Sequence, residues 1–196
     1  MILFLDTETS GLNPGQICQL SYVMQDKEKF TSKNFFFKVN YVEYGAYLVH
    51  GLSKEKLDIL SNGKDFSCFV EEIEKDFLKA DLLCAHNTAF DFKFLRKEFE
   101  RTGREFMSKA EFCTMKNSLS FCGLPKKTGR GFKYPKLNEL CHVLGISNEE
   151  ITYFEEKLFQ NATTYHDARF DTTALVLAFN RGVGNISAFT SIKDLI

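Results

Sequence analysis

The chain begins with an apolar run, Ile2-Leu3-Phe4-Leu5, that ends on Asp6-Thr7-Glu8. Such a run reads as a buried β-strand, and side chains two positions apart on a strand share a face. Asp6 and Glu8 therefore project together from the end of an interior strand. Ionised carboxylates held side by side repel strongly unless a proton or a cation intervenes. A hard divalent cation with oxygen ligands relieves that repulsion, and it calls for more acidic ligands from elsewhere in the chain. Asp91 and Asp171 are the candidates. Taken locally, Asp6 and Glu8 also fit solvent-facing turn residues. Asp91 likewise fits a plain first-turn acid that complements a helix dipole.

A length of 196 residues is read as one domain, 1–196, large enough for a sizeable core. With 44% hydrophobic and 26% charged residues, the composition is that of an ordinary soluble globular protein. The formal charge of −1 gives no global sign of nucleic-acid binding. It carries no weight against such binding either, because an acidic cluster offsets basic residues elsewhere. The six cysteines form no Cys-x-x-Cys pair and no zinc-type spacing, so they read as reduced core residues. No basic segment precedes an apolar leader, and no stretch is long enough to span a bilayer. A cytoplasmic protein with no membrane association is expected.

Three strands are predicted first, over residues 1–7, 17–25 and 29–39. From Glu43 the pattern turns helical and breaks at His50-Gly51, and Ser53 is placed to cap a short helix through Leu60. Phe66, Phe69, Val70, Ile73 and Phe77 mark an amphipathic helix over 65–79. Leu82-Leu83-Cys84-Ala85 predicts a central strand that leads through His86-Asn87 into a helix over 88–102, with Phe90, Phe94, Leu95 and Phe99 inward. Phe112 to Met115 suggests a fifth strand, and 122–135 an exposed loop. A helix from Leu137 to Val143, ended by Gly145, and a last helix over 167–181 complete the pattern. This order implies an α/β fold, one mixed sheet covered by helices.

His166 and Asp171 flank the start of the last helix. Five residues of helix would turn them about 140° apart, which places His166 on the mobile entry and Asp171 inside the rigid helix. A metal ligand needs a rigid mount, whereas a proton carrier benefits from mobility. Alone, His166 fits a surface or capping histidine equally well.

Together these residues form three motifs. Leu5-Asp6-Thr7-Glu8-Thr9-Ser10-Gly11-Leu12 resembles the first motif of the DEDDh 3′–5′ exonucleases, the family of the bacterial proofreading subunit. Ala85-His86-Asn87-Thr88-Ala89-Phe90-Asp91 is similar to the second motif, and His166-Asp167-Ala168-Arg169-Phe170-Asp171-Thr172 to the third. His50-Gly51-Leu52-Ser53 and Cys113-Thr114-Met115 agree as lesser features, and the resemblance runs from residue 1 to about 180. It implies a ribonuclease-H-like mixed sheet of about five strands flanked by helices, with the site at one edge of the central strands. It also implies two Mg²⁺ or Mn²⁺ ions, with Asp6 bridging both. Glu8 and Asp171 would hold the first, Asp91 would support the site, and His166 would be the general base.

On the substrate side, the resemblance assigns Thr7, Glu8 and Leu12 to the 3′-terminal nucleotide. Leu12 also fits ordinary loop packing, and Asn87 fits either a site hydrogen bond or a helix cap. Lys126, Lys127, Arg130, Lys133 and Lys136 alternate with Phe132 and Tyr134 and no acid between them. That pattern suits contact with the phosphates and bases of a single strand, or simply a solvated basic loop. Lys93, Lys97 and Arg101 read as a plain solvent face. The leading expectation is a metal-dependent 3′–5′ exonuclease releasing nucleoside 5′-monophosphates from single-stranded ends. DNA is weakly favoured because Lys-Tyr-Pro-Lys-Leu resembles the DNA-degrading branch. The alternatives are an RNA-trimming exoribonuclease or oligoribonuclease, or a polymerase-associated proofreading or accessory subunit. A polymerase partner is not indicated, since only about 15 residues follow the last predicted helix.

Overall fold

The structure is a computed structural model that describes residues 1–184. The expected sheet is present. β1 (Ile2–Thr9), β2 (Ile17–Asp26), β3 (Lys29–Phe36), β4 (Leu82–Ala85) and β5 (Glu111–Cys113) lie in the order β3-β2-β1-β4-β5. The first three strands form an antiparallel meander, whereas β4 joins β1 in parallel and β5 joins β4 in parallel. β1 thus sits at the centre. It is flanked by β4, whose carboxyl end opens at the same edge, in the manner of α/β sheets that place sites at strand ends.

The helices are α1 (Tyr44–His50), α2 (Lys54–Leu60), α3 (Val70–Lys79), α4 (Thr88–Arg101), α5 (Thr114–Asn117), α6 (Leu119–Cys122), α7 (Leu137–Val143), α8 (Asn148–Phe159) and α9 (Ala168–Gly184). Alternation along β1 sorts them between the two faces of the sheet. Leu3 and Leu5 pack with Ile73 and Phe77 of α3 and with Phe92, Phe94 and Phe99 of α4. Phe4 packs instead with Leu175, Val176 and Phe179 of α9. Phenylalanine rings pack against one another across the first face, some edge to face and others tilted or stacked. Phe106 meets the rings of Phe77, Phe92 and Phe99 at 5.9, 5.2 and 5.7 Å. Each such buried ring contributes about 1.5–3 kcal/mol by leaving water.

Several predicted boundaries move. β1 runs on to Thr9, with a register irregularity between Glu8 and Thr9, and β3 stops at Phe36. The helix expected over 65–79 is a short 3₁₀ turn, Phe66–Cys68, followed by α3, because the Asp65 side chain caps Ser67 and tightens the entry. Thr114 starts α5 where a strand was expected to continue. In place of a plain loop over 122–135, α6 ends at Cys122 and Pro125 bridges Phe132 as a small hairpin. Helix α8 was not predicted, because it buries only Ile151 and Glu155 and so shows little apolar periodicity. Phe90 is only partly buried, while Phe92 takes a core position. All cysteines are free, and Cys68 is exposed where a core position was expected. Among the described residues no helix is long and apolar enough to cross a membrane. The segment after α9, on which the expectation about a polymerase tether rested, lies outside the described residues.

Candidate active site

The strand parity that sorts the core also sorts the acids. Asp6 and Glu8 share the parity of Phe4 and face α9, while Thr7 faces α4. Thr7 holds Asp91 there, donating its amide (3.2 Å) and its hydroxyl (2.8 Å) to Asp91 Oδ1. Asp91 is in the first turn of α4, only 3% exposed. Asn87, just before that helix, is left-handed (φ 81°) and its side chain makes no capping bond. Asp171 is in the first turn of α9, and its Oδ2 accepts the His166 amide at 3.0 Å. His166 lies outside the helix, as expected, in a left-handed conformation (φ 69°) with its side chain exposed. Ligand atoms of Glu8, His166 and Asp171 lie within 4.8 Å of one another. Asp6, His166 and Asp171 together line a cavity of about 210 Å³.

Electrostatics make this cluster costly. Burial and then repulsion from Asp171 push both Asp6 and Glu8 well above the ordinary carboxylate range. Burial raises Asp91 to about 7 against the opposing hydrogen bonds from Thr7. It raises Asp171 to about 7 against the His166 amide. Among the described residues no lysine or arginine pairs with any of the four. An all-oxygen donor set lacking its counter-charge fits Mg²⁺ or Mn²⁺.

Neutral histidines frame the site. Burial lowers His86 to about 4, and its ring joins Thr114 Oγ1 (2.9 Å) to the Pro135 carbonyl (3.0 Å). It thereby ties the second motif to the end of the basic segment. His50 accepts the Leu52 amide and donates to the Thr9 carbonyl at 3.1 Å, fixing α1 to the end of β1.

The substrate-contact candidates divide. Leu12 is 78% exposed and lines a cavity of about 380 Å³ with Thr7, Glu8, Val49, His50 and Phe90. Lys93 is not a plain solvent residue. It donates to the Leu12 carbonyl at 2.9 Å and lies over the rings of Phe90 and Phe94. Lys126, Lys127 and Arg130 are exposed on the hairpin and do not line the carboxylate cavity. Lys133 is neutralised by Glu139, whereas Lys136 lines the cavity beside Asp6 and Asp171. The sequence reading gave no separate role to His86, to Lys136, or to the pair Asp167 and Arg169. The last two are inside the third motif itself, so adjacency to His166 was the available signal.

Fold and carboxylate constellation define a ribonuclease-H-like exonuclease domain of the DEDDh type. A family model described as an exonuclease, RNase_T, matches residues 3–179. The chain belongs to this exonuclease family. It is similar to DNA polymerase III subunit epsilon of Rickettsia prowazekii, 32% identical over 155 residues, covering 74% of this chain and 63% of that protein. The subunit epsilon of Escherichia coli is 28% identical over 162 residues, with 76% and 63% covered. The chain thus spans just under two thirds of the length of these relatives. Among solved structures, the metal-free form of an E. coli ExoI–ssDNA complex matches with a TM-score of 0.65 and 18% identity. That match covers 90% of this chain and 38% of the other, a likeness of fold.

Proposed function

We propose that the protein is a metal-dependent 3′–5′ exonuclease, residues 1–196 acting as one domain, that releases nucleoside 5′-monophosphates from single-stranded ends. The observation that carries this reading is the convergence of Asp6, Glu8, Asp91 and Asp171 beside His166, with no lysine or arginine in an ion pair with any of the four among the described residues. Two divalent ions bound there would supply Lewis-acid charge to the attacking and leaving oxygens. Asp6, Glu8 and Asp171 would hold them, with Asp91 in support. His166, exposed at the cavity mouth, accepts the proton of the attacking water. The cavity between Leu12 and Phe90, which Thr7 also lines, receives the terminal nucleotide, and Asn87, at the entry to α4, contacts the same strand. Lys126, Lys127 and Arg130 meet upstream phosphates.

DNA is the favoured substrate, and the ExoI neighbour's single-stranded DNA supports that choice. A cytoplasmic location goes with it. End-labelled DNA and RNA strands, digested with and without Mg²⁺, test the proposal. A one-nucleotide ladder from the 3′ end, absent without the ion, is expected; cutting of a closed circle overturns it. The names of the epsilon relatives favour a second reading, a polymerase-associated proofreading subunit. Stable co-purification with a polymerase would select it.

A further inference from the structure

Asp171 holds the His166 amide itself, and the residues on either side of His166 are held by groups outside the proposed metal-ligand set. Gln19 of β2 is directly opposite Glu8 of β1 in the strand register. Its fully buried side chain crosses to the residue after the histidine, with Gln19 Nε2 donating to Asp167 Oδ1 at 2.9 Å. Gln19 Oε1 accepts the Ala168 amide at 3.4 Å. Arg169 closes on the same carboxylate with Nε (2.9 Å) and Nη2 (2.7 Å), and its guanidinium lies 5.7 Å from the Phe36 ring centre. Upstream, the fully buried Glu155 of α8 accepts the Thr163 amide at 2.8 Å and the Thr163 hydroxyl.

A left-handed conformation is uphill for a residue with a side chain and persists only where its surroundings over-determine it. A nearly buried ion pair such as Asp167–Arg169 adds little net stability, because desolvation offsets its attraction. What it does add here is position. One short path runs from Glu8 across the strand pair to Gln19 and on to Asp167, the residue next to His166.

We infer that Gln19, Asp167 and Arg169, backed by Glu155, are positioning residues that fix His166 for proton transfer. The inference rests on the reading of His166 as the base. Misplacing a reacting group by about 1 Å costs on the order of 100-fold in rate. Asp167→Ala and Arg169→Gln should therefore lower kcat by roughly 10–100-fold. KM for a single-stranded oligonucleotide should stay within about twofold of the parent, and Mg²⁺ should still raise Tm, since neither residue is placed to hold the ion or the strand.

The deciding measurement repeats both variants in a His166→Ala background under single-turnover conditions. There they should add almost nothing, because the group they position is gone. Arg169→Lys, which keeps a cation beside Asp167, should recover most of the rate lost in Arg169→Gln, and this pair at position 169 carries the measurement if Asp167→Ala melts below the assay temperature. Losses that multiply with His166→Ala, or a lost Mg²⁺ response with kcat intact, overturn the inference while leaving the site reading in place. Full activity of His166→Ala alone overturns the site reading itself.

Discussion

Asp171 Oδ2 accepts the backbone amide of His166 at 3.0 Å, so the acid proposed to hold a metal ion also holds the proposed base. Asn at 171 can keep that hydrogen bond and loses only the charge, whereas Ala loses both. Each variant is expected to lower hydrolysis by on the order of 10²–10³. They should differ in the His166 amide, which stays protected from hydrogen exchange in Asp171→Asn and exchanges faster in Asp171→Ala. Equal exchange in the two would remove the coupling.

Proton linkage at the carboxylates gives a signed pH dependence. Asp91 and Asp171 titrate near 7 in the fold and lower when unfolded, so the native state binds protons more tightly. Their contribution to stability is therefore present at acid pH and is lost as pH rises through about 7. Metal-free protein should melt at a higher temperature at about pH 6.5 than at about pH 8, and Mg²⁺ or Mn²⁺ should raise Tm more at the alkaline end. At alkaline pH, Asp91→Asn should raise Tm of the metal-free protein by a few degrees while weakening its response to the ion. Calorimetry in chelator and in Mg²⁺ decides, and a lower Tm for Asp91→Asn would refute the charge argument.

His86 links Thr114 to Pro135, and its removal leaves the Pro135 carbonyl without that donor and Thr114 with only a long bond to the Ala85 carbonyl. His86→Ala should cost about 1–3 kcal/mol of stability. It should also loosen the basic segment, raising KM for oligonucleotides more than it changes kcat. Because burial holds His86 near 4, it binds protons less tightly in the fold than unfolded. Its contribution to stability falls as pH drops from about 6.5 towards 4. Urea titrations across that window should show a shallower decline in the variant.

Salt titration separates phosphate binding from a merely solvated hairpin. If Lys126, Lys127 and Arg130 meet phosphates, replacing all three by Ala should reduce the slope of log affinity against log salt. The reduction should be about 0.7 for each phosphate that is no longer neutralised. An unchanged slope would assign the charge pairing elsewhere, with Lys136 the first residue to examine since it lines the carboxylate cavity.

The centre of the sheet was legible because β1 opens on an apolar run and β4 is one, each bounded by turn residues, and because strand parity ties Asp6 to Glu8. The five-residue spacing likewise placed His166 outside the last helix and Asp171 within it. Residues whose roles depend on long-range register could not be read. Nothing local says that Gln19 stands opposite Glu8 and reaches Asp167. Similarly, composition could not distinguish Lys136, at the cavity, from Lys126, on the hairpin. Helix α8 escaped because its buried face includes a carboxylate, Glu155, that periodicity counts as solvent-facing.

The alternation along β1 has one more consequence. The same pleat that sends Leu3 and Leu5 into one core layer and Phe4 into the other sends Asp6 and Glu8 towards α9 and Thr7 towards α4. A slip of one residue would invert all of them together. Apolar side chains would leave both layers at the moment the carboxylates turned away from their partners. Assembly of the core and placement of the carboxylates are thus one event, an interlock that leaves a wrongly registered chain unable to form the site.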